Sequence, residues 1–280
     1  MKDLIIGCST NYDWSKLKYW INSINMSGFT GDKVMILMNC DADTAKKIND
    51  LGFEIIAFNQ DDGGNLVYKS EIPVHVERFI HIYNYLKDKD YRYVITTDVK
   101  DVIFQKNPSD FLHQLCGPGH SKSLVFASES MNYKDEPWGN QNLLETFGKF
   151  IHEQFKNNEI YNVGVLAGRG HAIRDLCLNI FLSAINRPIP ICDQSTFNVM
   201  ISMSPYKQTS AYLRSEDGWA AQLGTTADPS KIDAFKPFLL ENQPYFNEGK
   251  VYTSTGKEFT IVHQYDRVPH WRSVIEGIYG

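Results

Sequence analysis

Two carboxylates three residues apart interrupt an apolar run, Tyr93-Val-Ile-Thr-Thr-Asp98-Val-Lys-Asp101-Val-Ile-Phe104. A β-branched run of this kind reads as a buried strand, and acids at its C-terminal end lie where ligands of open α/β sheets gather. Ionised carboxylates held close together need a cation, or one of them must shift its pKa. A bound divalent metal is therefore the first chemistry this pattern offers. The plain alternative is that Asp98 caps a turn and Asp101 is solvated. His263 ends a second apolar stretch, Phe259-Thr-Ile-Val-His263, and is a candidate imidazole ligand or a hydrogen-bonded strand end. Oxygen donors suit magnesium and manganese, and one imidazole tilts the choice toward manganese.

The whole chain narrows the possibilities. Its 280 residues carry 28 Lys+Arg against 33 Asp+Glu, a formal net charge of −5, so a nucleic-acid backbone is not the expected ligand. Hydrophobic and charged shares of 42% and 22% are those of an ordinary soluble globular protein. Five scattered cysteines (Cys8, Cys40, Cys116, Cys177 and Cys192), with no Cys-x-x-Cys, argue against a disulfide framework or zinc site and for a reducing compartment. No run approaches the roughly 20 apolar residues of a membrane span. Met1-Lys-Asp-Leu-Ile-Ile-Gly-Cys8 reads as a first strand rather than a signal peptide, so the expected location is cytoplasmic.

The elements that must position the acids alternate. Strands are expected at Leu4–Cys8, Val34–Met38, Glu54–Phe58 and Tyr93–Thr97. Between them, helices are expected over Trp14–Met26, Asp43–Leu51 and Pro73–Lys87, with a loop at Asn59–Asn65. This rhythm predicts parallel βαβ units in a sheet covered on both faces. Further on, Leu124–Ser128 and Tyr161–Ala167 read as strands, and Asn142–Phe155, Ala172–Ile185 and Asp193–Met203 as helices. Pro205 opens a stretch richer in turns and short strands, which ends at His263. With no linker in evidence, we expect one Rossmann-like α/β domain over 1–280, a mixed central sheet flanked by helices. A nucleotide-binding half covers about 1–105 and a sugar and acceptor half about 106–280.

Here the chain resembles the nucleotide-sugar glycosyltransferases of the A-type fold, in which an Asp-x-Asp motif ends a central strand and holds manganese or magnesium. Tyr161-Asn162-Val-Gly164-Val resembles the Asn-x-Gly-Val segment of retaining, glycogenin-like enzymes of family eight. Asp193-Gln194-Ser-Thr-Phe-Asn198 resembles their Asp-Gln helix start, and His263-Gln-Tyr-Asp their late metal-binding histidine. The four motifs fall in the family's order over about four-fifths of the chain. One departure stands out: Lys100 occupies the usual place of the second aspartate. Either Asp98 and Asp101 form the pair across a longer loop, or Asp98 binds alone, or Thr96 or Thr97 adds a hydroxyl. The apolar Val102-Ile-Phe104 after Asp101 favours the pair.

The resemblance implies a nucleoside-diphosphate sugar donor of the UDP or GDP type and a glycan or other hydroxyl acceptor. It makes Asp193 and Gln194 the catalytic candidates, Asp193 binding sugar hydroxyls near the anomeric carbon, and it places Asn162 and Gly164 at the sugar. It implies retention of configuration; inversion would need a general base, for which Glu129 or Asp217 is available. The resemblance also makes Arg78 a basic residue facing the donor, against an exposed charge on an amphipathic helix. From position, Thr10-Asn11-Tyr12 after the first strand are candidates for the nucleoside, with Tyr12 stacking on a base. Asp61 and Asp62 are candidates for a ribose or base edge. Lys257, Arg267 and Arg272 are candidate phosphate partners, or surface charges. Trp138, in the segment Met131–Gln141, and Trp219, in Arg214–Gly224, are candidate platforms for an acceptor sugar.

Three other functions compete. A sugar-1-phosphate nucleotidyltransferase shares fold and metal but usually carries a Gly-rich basic loop after its first strand, where this chain has Ser9-Thr-Asn-Tyr-Asp-Trp-Ser15. A sugar-nucleotide-binding protein without transferase activity is the outcome if Lys100 disables the metal site. A phosphatase of the haloacid dehalogenase type would need its acids after the first strand.

Overall fold

The computed structural model describes residues 1–58, 61–62, 65–66 and 68–280, the side chains of 61–62 and 65–66 excepted. The side-chain expectation for Asp61 and Asp62 therefore lies outside the described residues. The chain lays down β1 (Leu4–Thr10), α1 (Trp14–Met26), β2 (Asp32–Met38), α2 (Ala42–Asp50), β3 (Glu54–Phe58), the short β4 (Asp61–Asp62) and β5 (Asn65–Leu66), α3 (Val74–Leu86), β6 (Tyr93–Thr97) and β7 (Val102–Phe104). There follow α4 (Pro108–Cys116), β8 (Leu124–Asn132), α5 (Pro137–Phe155), β9 (Glu159–Arg169), α6 (Gly170–Ala184), α7 (Asp193–Ile201), α8 (Tyr206–Thr209) and β10 (Ser210–Leu213). The last part holds β11 (Ala220–Gln222), α9 (Leu223–Thr226), α10 (Ile232–Phe235), β12 (Tyr245–Asn247), β13 (Lys250–Tyr252), β14 (Ile261–His263) and α11 (Pro269–Tyr279). No described helix is long and apolar enough to cross a membrane.

The core is a seven-stranded mixed sheet in the order β10-β8-β9-β6-β1-β2-β3. Strands β6, β1, β2 and β3 run parallel, as the alternation predicts, whereas β9 is antiparallel to both β6 and β8. Both faces are buried, which is why these strands read as nearly continuous apolar runs. Ile5, Met35, Leu37, Tyr93 and Ile95 point to one face, into the core that contains Leu17, Trp20 and Ile21 of α1. Leu4, Ile6, Val34, Ile36 and Val94 point to the other, against Phe79 and Ile82 of α3 and Ile173, Leu176 and Ile180 of α6. Each such fully buried side chain contributes roughly 1.5–3 kcal/mol.

A three-stranded sheet, β11-β14-β7, sits beyond β6. Val102–Phe104, a resumed apolar run in the sequence, forms β7. It pairs antiparallel with β14, His263 opposite Val102, while β11 runs parallel to β14 with Gln222 beside His263. The start of one expected helix moves. The helix expected from Asn142 begins at Pro137, because proline suits a first helical position and Glu136 caps the amides of Trp138 and Gly139. Part of the segment expected as an acceptor loop is therefore helical, and Trp138 lies in its first turn. Trp219 is fully buried, packed on Phe111 at 4.9 Å between ring centroids, so it is a core residue and not an acceptor platform.

Candidate functional site

The carboxyl-terminal ends of β1, β6 and β14 and the amino-terminal half of the antiparallel β9 open into a cleft of about 510 Å³. The end of β6 is held from below: Trp20 Nε1 of α1 donates to Thr97 Oγ1 at 2.8 Å. That bond commits the Thr97 hydroxyl to the core face, and neither Thr96 nor Thr97 lines the cleft. Asp98 follows, its amide donating to Gly164 O at 2.8 Å, so β9 fixes the backbone of the first acid. Lys100, which also lines the cleft, pairs with Asp266 3.3 Å away, and the loop brings Asp101 back in. Gln264 N donates to Asp101 O at 2.7 Å, tying that loop to the segment after β14.

Asp98, Asp101 and His263 converge, with one ligand atom from each lying within 4.8 Å of the others. His263 Nε2 is 3.5 Å from Asp98 Oδ2 and 3.7 Å from Asp101 Oδ1, longer than ordinary hydrogen bonds. On its other side, Nδ1 lies 2.7 Å from Gln222 Oε1. Gln222 Oε1 can only accept, so the proton is assigned to Nδ1 and Nε2 faces the acids with its lone pair. An imidazole oriented by an outer partner toward two carboxylates is a donor set for a divalent cation, and the residues present fit one. Adjacent ligands around an octahedral cation lie about 3 Å apart at metal–oxygen distances near 2.1 Å; the observed spacings allow such a shell with small adjustment.

Charge is balanced on the opposite wall. Arg78 of α3 pairs through Nη1 with Asp98 Oδ1 and through Nη2 with Asp193 Oδ2, the latter at 3.1 Å. Burial pushes the Asp98 carboxyl up, but the Arg78 guanidinium and His263 outweigh it and hold it well below the ordinary carboxylate range. Asp101 lacks that guanidinium, and burial raises it despite His263. Burial lowers His263, yet Asp101 and Asp98 together leave it raised. These acids and the imidazole thus share a site where a positive charge is favoured. Asp193 is raised by burial against the pull of Arg78. It occupies the first turn of α7 rather than the N-cap, which is Cys192. Its carboxylate is therefore engaged by Arg78, and capping does not account for it.

Gly164 lies where no side chain fits. A Cβ there would meet His263 Cε1 at 2.6 Å, Asn162 Oδ1 at 2.8 Å and Asp98 Oδ2 at 2.8 Å. The close approach expected of a strand glycine is realised against the candidate metal ligands themselves.

Of the residues singled out from sequence, Thr10, Tyr12, Arg78, Asp98, Asp101, Asn162, Gly164, Asp193, Gln194, His263 and Arg267 all line the cleft, as do Glu129 and Trp138. Asn11 does not; it takes a left-handed turn, φ 57°, with its amide bonded to Met38 O. Asp217, Lys257 and Arg272 also lie outside. Asp217 accepts from Arg214 N, Lys257 Nζ donates to Asp217 O, and Arg272 pairs with Glu276. The sequence reading passed over Gln222, His75, Lys231 and Gln264. No local signal marks Gln222, whose role follows from its register with His263.

No family model and no curated protein matches the sequence. Among solved structures, the fold is similar to that of WbbM, described as a bifunctional glycosyltransferase in its apo form, with a TM-score of 0.59 at 10% sequence identity. The likeness covers 99% of this chain and 49% of that one, so the chain spans about half the length of WbbM. At this identity the comparison establishes a glycosyltransferase-like α/β fold.

Proposed function

We propose that the protein is a metal-dependent glycosyltransferase that takes a nucleoside-diphosphate sugar of the UDP or GDP type and moves its sugar to a hydroxyl acceptor, a glycan or another alcohol, with retention. The observation that carries this reading is the convergence of Asp98, Asp101 and His263 at strand ends in a cleft that also holds Arg78, Asp193 and Gln194. The shared fold with a bifunctional glycosyltransferase supports it.

In this reading Asp98, Asp101 and His263 Nε2 hold a manganese or magnesium ion. When bound, such an ion neutralises the charge that accumulates on the β-phosphate as the glycosidic bond breaks. Thr10 and Tyr12, at the end of β1, face the nucleoside. Arg267 and Lys231 at the rim meet phosphate charge. Arg78 keeps Asp98 ionised and fixes both Asp98 and Asp193 in place, and Asp193 accepts hydrogen bonds from sugar hydroxyls. Asn162 and Gly164 form the floor under the sugar, and Gln194 lies near the anomeric carbon. Retention is supported by the placement of the two acids weighed as inverting bases. Asp217 is outside the cleft, and Glu129 has one oxygen taken by two amide donors. Trp138, 51% exposed at the rim, is the candidate platform for the acceptor.

A screen of donor hydrolysis over UDP-, GDP- and CDP-sugars, with and without manganese, tests the proposal. The wild type is expected to hydrolyse one donor class only with metal, and Asp98→Ala and Asp101→Ala to lose that activity while staying folded. Wild-type activity in Asp101→Ala would show that the pair is misassigned. A wild type that shows no metal-dependent binding and no turnover of any donor would sink the transferase reading.

A further inference from the structure

Of the buried acids in the cleft outside the Asp98, Asp101 and His263 group, Asp193 is paired with Arg78 and Glu136 caps α5, which leaves Glu129. Glu129, 5% exposed, has no cationic partner among the described residues, and its Oε1 accepts from Asn162 Nδ2 at 2.7 Å and Gln194 Nε2 at 3.1 Å. The backbone is shaped to aim it. Strand β8 shifts register against β9 twice between Phe126 and Asn132, and irregularities of this kind re-aim side chains beside functional sites. Ser130, almost fully buried, is left-handed at φ 55°, a conformation that a non-glycine residue keeps only when its surroundings impose it. Those surroundings are specific: Thr225 Oγ1 donates to Glu129 O, Ser130 N to Ser128 Oγ, and Leu240 N to Ser130 O, all at 2.7–2.8 Å.

The consequence concerns which end of two amides faces the cleft. An amide side chain has a donor end and an acceptor end of nearly the same shape, and only its partners decide between them. Burial raises the Glu129 carboxyl, while the amide donors of Asn162 and Gln194 favour its ionised form, which accepts and cannot donate and so selects the NH2 end of both. The Asn162 carbonyl is then turned onto Gly164 N, which donates to it at 2.6 Å. The Gln194 carbonyl is the end left over; among the described residues nothing donates to its Oε1, and Gln194 lines the cleft beside Asp193. We propose that Glu129 is a positioning residue that fixes the Gln194 amide so that its carbonyl oxygen, not its NH2 group, is presented to the transferred sugar. This rests on the transferase reading above. The anomeric carbon gains positive charge as its bond to the leaving phosphate breaks; the negative end of a fixed dipole stabilises that charge and the NH2 end opposes it. A glutamine or asparagine at 129 would offer both ends and select neither.

A double-mutant cycle tests the proposal. With manganese and the donor found by the screen, Glu129→Gln is expected to lower kcat about tenfold or more while the donor KM stays within about threefold. In a Gln194→Ala background, the same change is expected to cost less than about twofold, because the group it orients is gone. Independent, multiplying losses would overturn the proposal and put Glu129 on the substrate itself. A second readout needs no turnover: the side-chain amide NMR signal missing in Gln194→Ala should move in Glu129→Gln, and an unmoved signal also overturns the proposal. If Glu129→Gln does not fold, Glu129→Asp, which still only accepts but reaches less far, should lose rate only when Gln194 is present. A wild type that uses no sugar nucleotide would defeat the transferase reading, and the amide signal would still report whether Glu129 orients Gln194.

Discussion

Adding a single methyl group at Gly164 tests the candidate metal site without removing any ligand. In Gly164→Ala the new Cβ would lie 2.6 Å from His263 Cε1 and 2.8 Å from Asp98 Oδ2 and Asn162 Oδ1. Ordinary contact begins near 3.4 Å, so these groups must retreat by roughly 0.6–0.8 Å. None is free to do so cheaply: Asp98 is held by Arg78, His263 by Gln222, and Asn162 by Gly164 N and Glu129. Overpacking of this kind costs about 1–3 kcal/mol, or about 2–4 °C in Tm for each kcal/mol. The displacement also exceeds by several fold the roughly 0.2 Å tolerance of metal–ligand distances. Manganese affinity should fall by at least about 10–100-fold, or about 1.4–2.8 kcal/mol. Titration calorimetry with manganese, paired with a metal-free thermal melt, reads both effects. Gly277→Ala, at a helical glycine with nothing within 4 Å of a Cβ, is the control and should leave manganese affinity unchanged and raise rather than lower the Tm. A Gly164→Ala protein that binds manganese like the wild type would refute the assignment of Asp98 and His263 as ligands.

Three further outcomes are expected. Arg78→Ala leaves Asp98 and Asp193 facing each other without their shared cation, and removing one partner of a buried pair costs about 3–5 kcal/mol; urea unfolding of metal-free protein measures it, and an unchanged midpoint would contradict the arrangement. Trp138→Ala should raise the acceptor KM about tenfold or more and leave metal-dependent donor hydrolysis unchanged; an equal loss in both assays would place Trp138 at the donor instead. Asp3 tests the electrostatics of the fold. Burial raises its carboxyl, but the fork-like pairing with Arg92 outweighs this and lowers it. A carboxyl lowered in the folded state stabilises above its unfolded pKa, about 3.9, and that stability is lost as pH falls through the folded pKa. With Arg92 46% exposed, Asp3→Asn should cost on the order of 1 kcal/mol at pH 7 and progressively less as pH falls below the unfolded pKa, in denaturant titrations at pH 7 and in acid. An equal cost at both would assign the effect to packing.

The legible parts of this protein are local. The βαβ rhythm, the buried strand ending at Asp98 and the helix beginning at Asp193 are each written in the periodicity or punctuation of one short segment. Boundaries moved where the deciding residue lay outside the apolar pattern, as with Pro137 and the capping Glu136 at the start of α5. Trp219 misled because an aromatic among polar residues reads as a platform, whereas its burial depends on Phe111, more than a hundred residues earlier. Asn11 sits between two cleft residues, but its left-handed φ turns it out of the cleft, and residue type alone does not specify that dihedral.

By itself, the amino-acid sequence determined that two acids stand at the end of a buried strand in an α/β chain, and that Lys100 separates them from the usual spacing. Tertiary structure decided what those acids face. The pairing of β7 with β14 brings His263 across more than 160 residues to Asp98 and Asp101, and the register of β11 puts Gln222 behind it. Those three-residue strands carry too little pattern to predict their partners. Their register is set by packing against the main sheet, and that packing exists only once the chain has folded.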